Sequence, residues 1–122
     1  MKVLIVDDEP DIRRIARLSL SRVGGMEVLE ASNGAEGLVR AKEERPDAVL
    51  LDVMMPAMDG PTTLARLRED PATAGIPVVF LTAKAIAAEV DRLKSLGAAG
   101  VLTKPFDPMT LARDLRAALG MK

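Results

Sequence analysis

Five short apolar runs, each followed by a stretch that reads as a helix, constrain this chain more than any other feature of its 122 residues. Residues 3–6, 48–51 and 78–81 are continuous runs of Val, Leu, Ile, Ala and Phe, the mark of strands covered on both faces. Residues 26–30 are the most polar of the five and belong at a sheet edge, and residues 99–102 make a weaker strand. Between the runs lie helical stripes. Pro10 opens the first, which carries Ile12, Ile15, Ala16, Leu20 and Val23 and stops at Gly24-Gly25. Asn33 with Glu36 has the spacing of a capping box for the second, which ends before Pro46. Asp59-Gly60-Pro61 turns into the third, with Leu64 and Leu67 inward, and Asp70-Pro71 stops it. Ile86, Val90 and Leu93 stripe the fourth, closed by Gly97, and Leu111, Leu115, Ala118 and Leu119 define the last. Strict alternation predicts an α/β domain spanning residues 1–122, a parallel sheet with helices on both faces, and right-handed crossovers make it doubly wound.

Composition removes whole classes of chemistry. The chain has no Cys and no His, so it offers no thiol nucleophile, no imidazole base and no soft metal ligands. Seventeen basic residues against eighteen acidic ones give no general attraction to nucleic acid or to an anionic membrane. No apolar run is long enough to span a bilayer, and Met1-Lys2 leads straight into a strand, so the expected compartment is the cytoplasm. Phe80 and Phe106 are the only aromatics, too few for a stacking platform.

Polar groups follow the strands at their carboxyl ends: Asp7-Asp8 after the first, Asp52 after the third, Thr82 after the fourth and Lys104 after the fifth. In an open parallel sheet these ends line the crevice where ligands bind. Three carboxylates meeting there repel one another, so at least one pKa should rise unless a cation intervenes. All-oxygen ligands favour a hard cation, Mg²⁺ before Zn²⁺. A lysine and a hydroxyl on the same rim are what a phosphoryl group needs. Singly, each has a plain structural reading: a helix cap, a loop acid, a strand-end residue, a surface lysine. Their joint appearance at four strand ends does not. Arg13, Arg14, Arg17 and Arg22 read as a solvated helix face, and Met54, Met55 and Met58 as loop packing.

With Val3 to Glu9, Leu50 to Gly60, Val79 to Ala83 and Thr103-Lys104-Pro105-Phe106 in matching order, the chain resembles the receiver domain of two-component response regulators over nearly its whole length. The resemblance implies a flavodoxin-like sheet of order 2-1-3-4-5. It implies Asp52 as phosphoacceptor from a sensor histidine kinase or phosphotransfer protein, Mg²⁺ held by Asp7, Asp8, Asp52 and the backbone carbonyl of Met54, and phosphoryl oxygens held by Thr82 and Lys104. It implies a cis Lys104-Pro105 bond, a change in affinity for a downstream protein target, and no catalysis beyond the chain's own phosphorylation and dephosphorylation. Two departures matter. Val101 stands where the family carries a swinging aromatic, and Gly97-Ala98-Ala99-Gly100 lacks the paired acids of the dimerising transcription factors, so a monomer or weak dimer is expected. Met54 and Lys84 flank the mouth and should tune phosphoryl lifetime. An aspartyl phosphatase would need a second Asp where Met54 stands, and a flavin module would need a Ser/Thr-rich first loop. A degenerate receiver that only binds partners is the other reading, opposed by the complete Asp/Asp/Asp/Thr/Lys set.

Overall fold

A computed structural model describes residues 1–121. The strands are β1 (Lys2–Val6), β2 (Glu27–Ala31), β3 (Ala48–Asp52), β4 (Val78–Thr82) and β5 (Gly100–Thr103), and the helices are α1 (Pro10–Leu18), α2 (Gly34–Glu44), α3 (Gly60–Glu69), α4 (Ala87–Ser95) and α5 (Leu111–Ala118). All strand pairs are parallel, in the expected order β2-β1-β3-β4-β5, and the polar β2 lies at an edge.

The core divides by the two-residue period of the strands. Leu4, Val6, Val49, Leu51 and Phe80 face one way, against Ala41, Leu64, Leu67 and Leu93 of α2, α3 and α4. Val3, Ile5, Leu50, Val79 and Leu81 face the other, against Ala16 and Leu20 on the first helix and Leu111 and Leu115 on α5. Burial on both faces explains why β1, β3 and β4 are continuously apolar rather than alternating.

Helix ends follow local chemistry. Asn33 caps α2 through the amide of Glu36 at 2.8 Å, while the Glu36 carboxylate reaches back to the amide of Ser32, one residue further out than in a capping box. Asp59 caps α3 through the amide of Thr62 at 2.8 Å. Gly97, at φ +99°, closes α4 as expected, with its amide on the carbonyl of Lys94.

Three expected stripe residues are exposed. The buried line of the first helix runs through Ala16 and Leu20, four residues apart. Ile15 sits a residue off that line and is 42% exposed. Beyond Leu18 the helix widens into a π turn over Ser19–Val23, with the Gly24 amide on the carbonyl of Ser19, and the wider turn carries Val23 out to solvent. The Ser19 hydroxyl bonds the Pro108 carbonyl and Arg116 donates to the Gly24 carbonyl at 2.6 Å, so this turn is where α5 is seated. Ile86 precedes α4 rather than striping it and is 64% exposed.

Gly60 has a different constraint from the turn glycines. Its amide bonds the Val53 carbonyl at 2.9 Å, and a side chain there would strike the carbonyl oxygen of Asp52 and, at 2.9 Å, the α-carbon of Val53. Both are backbone and cannot rotate away. Gly60→Ala should therefore lower stability in urea unfolding by about 2 kcal/mol or more. Gly75→Ala has nothing within 4 Å and should be neutral or stabilising by up to about 1 kcal/mol. Equal effects of the two would refute this packing.

Candidate phosphoacceptor and cation site

Because every strand is parallel, the residues after β1, β3, β4 and β5 emerge on one rim. Asp7 leaves β1 fully buried, its amide bonded to the Ala31 carbonyl at 3.2 Å. One of its carboxylate oxygens, Oδ1, accepts from the Glu9 amide at 2.9 Å. Asp52 ends β3 and is 4% exposed. Lys104, the residue after β5, places Nζ 2.9 Å from Oδ2 of Asp7, 3.2 Å from Oδ1 of Asp52 and 3.6 Å from Oε1 of Glu9. Its backbone is held in turn, with the Lys104 amide on the Thr82 carbonyl at 2.8 Å.

Of the residues singled out from sequence, Asp7, Asp8, Asp52 and Lys104 therefore converge. Thr82 is buried at the end of β4, one residue beyond Leu81, which pairs with Asp52. Its Oγ1 accepts from the Lys84 amide at 3.0 Å, which leaves the hydroxyl proton free to donate. Met54 contributes through its backbone, which lowers the pKa of the Asp52 carboxylate. Its side chain is 71% exposed, contrary to a packing role, whereas Met55 is buried as expected. A cleft of about 250 Å³ adjoins the site, lined in part by Met54, Thr82, Lys84, Glu89 and Arg92.

Sequence reasoning missed two things. Carboxylate oxygens of Asp7, Asp8, Glu9 and Asp52 lie within 4.8 Å of one another, so Glu9 belongs to the cluster. Its signal was the acidic run Asp7-Asp8-Glu9 itself. Nor are Arg13 and Arg17 a free solvated face: both pair with Glu30 of β2, at 3.4 and 2.8 Å. Periodicity cannot reveal such a partner, because it lies on a different element.

The electrostatics follow from burial. Desolvation, and then the charge of Asp7, push the Asp52 carboxyl up to about 6, against the pull of Lys104 and the Met54 backbone. Burial pulls the Lys104 ammonium down, but its close contact with Asp7 and the charges of Asp7 and Asp52 outweigh it and hold the lysine above its ordinary value. The carboxylates thus have a counter-charge among them, which the expectation of simple mutual repulsion lacked. It is one positive charge against four carboxyl groups. Oδ2 of Asp7 is moreover buried with only the off-line ammonium beside it and no aligned hydrogen bond. A buried carboxylate oxygen with no aligned hydrogen bond, in an all-oxygen cluster of Asp7, Asp8, Glu9 and Asp52, fits a hard divalent cation.

The comparisons with known proteins agree with this geometry. The family model for the response regulator receiver domain matches residues 3–116. Protein PilH of Pseudomonas aeruginosa is 38% identical over 120 residues, covering 97% of both chains. The "Probable transcriptional regulator ycf27" of Guillardia theta is 42% identical over 118 residues, 97% of this chain but 45% of that protein, so the chain spans about half the length of several curated relatives it matches. The structure of the chemotaxis response regulator CheY4 of Vibrio cholerae superposes with a TM-score of 0.89 at 36% identity, covering 97% of this chain and 98% of that one. No helix among the described residues is long and apolar enough to cross a membrane. On its sequence match, its sheet order and the five polar groups gathered on one rim, the chain belongs to the response regulator receiver domain family.

Proposed function

We propose that this receiver is a phosphorylation switch, taking a phosphoryl group onto Asp52 from the phosphohistidine of a partner kinase or phosphotransfer protein. The observation that carries the reading is a buried Asp52 carboxylate with Lys104 Nζ 3.2 Å from its oxygen and a buried Asp7 carboxylate on the other side of the same ammonium. A carboxylate oxygen of Asp52 attacks phosphorus, the P–N bond breaks, and the imidazole nitrogen leaves with the electron pair and takes up a proton. Asp7, Asp8, Asp52 and the Met54 carbonyl are the groups assigned to Mg²⁺. When bound, it would offset the negative charge that carboxylates and phosphoryl oxygens share. Lys104 turns from the carboxylates to a phosphoryl oxygen, and the free proton of Thr82 reaches another. The chain turns over no external substrate. It shifts between two states with different affinity for a downstream protein, and it acts in the cytoplasm. Val101, half-buried on β5 beside Phe80, has little rotamer range, so the change is read through Thr82 and the loop after it rather than by a swinging ring.

Intact mass after incubation with acetyl phosphate tests the reading. A Mg²⁺-dependent, alkali-labile phosphoryl adduct on the wild type, absent from Asp52→Asn, is expected. A wild type that acquires none with Mg²⁺ present would favour a receiver that only binds partners.

The raised Asp52 pKa gives two further expectations. Between about pH 4, where an unfolded Asp ionises, and about pH 6, the folded state holds the extra proton. Ionising Asp52 therefore costs stability. The metal-free fold loses it as pH rises through this window, and the loss is complete above pH 6. Asp52→Asn should be the more stable metal-free protein at pH 7.5 by about 2 kcal/mol, allowing for solvent screening, with the difference gone by pH 4. An Asn variant that melts lower at pH 7.5 would contradict this. Protons and Mg²⁺ compete for the same carboxylate, so calorimetric Mg²⁺ affinity should weaken about tenfold from pH 7 to pH 5. A flat profile would place the metal away from Asp52.

A further inference from the structure

The Asp7 carbonyl lies just past the end of the sheet. The ladders joining β1 to β2 and β3 end at Val6, so no strand supplies this oxygen with a donor. Arg13 does: its Nη1 donates to the Asp7 carbonyl at 2.7 Å. The guanidinium is held from behind by Glu30 of β2, whose Oε1 lies 3.4 Å from Arg13 Nε and whose Oε2 lies 2.8 Å from Arg17 Nε. The backbone of Arg13 is fixed too, its amide on the Glu9 carbonyl at 3.1 Å. One side chain thus ties the end of β1, the start of α1 and the edge strand together.

We propose that Arg13, seated by Glu30, is a positioning residue for the cation site. The peptide joining Asp7 to Asp8 is planar, so a donor that fixes the Asp7 carbonyl fixes the plane from which both carboxylates project. With Asp7 Oδ1 held by the Glu9 amide, the guanidinium fixes the peptide plane that this acid pair shares before any cation arrives. The inference rests on the reading of the site as a Mg²⁺-assisted phosphoacceptor.

Charge alone gives the opposite expectation. A guanidinium near a divalent cation repels it, so if Arg13 acted only as a charge its removal would tighten binding. Arg17 shares Glu30 without touching Asp7 and serves as the control for that effect.

The test is Mg²⁺ titration by calorimetry of the wild type, Arg13→Met, Arg13→Lys and Arg17→Met, with the ¹⁵N shift of the Asp8 amide recorded on the metal-free proteins. Arg13→Met should bind about tenfold more weakly and move the Asp8 signal. Arg17→Met should bind as tightly as the wild type or tighter, with that signal in place. Arg13→Lys keeps the charge and loses the fork, so a loss of about threefold there reports geometry alone, even if the Met variant fails to fold. Arg13 variants that are folded and bind Mg²⁺ as tightly as the wild type would overturn the positioning role and leave the proposed function standing. A wild type that binds no Mg²⁺ would overturn both.

Discussion

A single ammonium holds together carboxylates that folding forces into one another's company. Lys104 lies within 3.2 Å of both Asp7 and Asp52, two acids that are almost wholly buried. Burying a charge is tolerable only when it is paired, and one lysine cannot pair with every acid of the cluster. The structure resolves the deficit by keeping a proton on Asp52 to about pH 6 and by leaving one Asp7 oxygen without an aligned partner. Both are marks of a site that stores electrostatic strain for a ligand to relieve, and a divalent cation and a phosphoryl group are ligands that would do so.

The fold's contribution is placement. A parallel sheet sends all its carboxyl ends to one rim, and the register sets Asp52 opposite Leu81, with Thr82 one residue beyond. The two-sided core keeps β1, β3 and β4 rigid beneath that rim. The loops carry the irregular features instead: Ala57 at φ +67°, the close passage of Gly60 over the Asp52 carbonyl, and the cis bond before Pro105. Strands buried on both faces suit a device that must hold its reacting groups still.

The strand pattern and the strand-end acids were legible because both are local. A continuous apolar run can be read without knowing its neighbours, and so can the polar residue that ends it. What escaped was set by partners on other elements. Ile15 looks like a core residue until the sheet selects the line through Ala16 and Leu20, and Val23 until the π turn, bonded to the α5 segment through Ser19 and Gly24, carries it to solvent. Arg13 looks like any surface arginine until β2 brings Glu30 beneath it and the residue after β1 offers a carbonyl. Glu9 was visible in the acidic run, but only the turn of the chain shows that it reaches the same cluster.

The most direct test of this account is a carboxyl-carbon NMR titration of Asp52 in the metal-free protein, repeated with saturating Mg²⁺. A midpoint near pH 6 without metal, moving well down when Mg²⁺ is bound, is expected. A midpoint in the ordinary Asp range near pH 4 that Mg²⁺ leaves in place would mean that Asp52 is a relaxed, solvated acid, and the strained site described above does not exist.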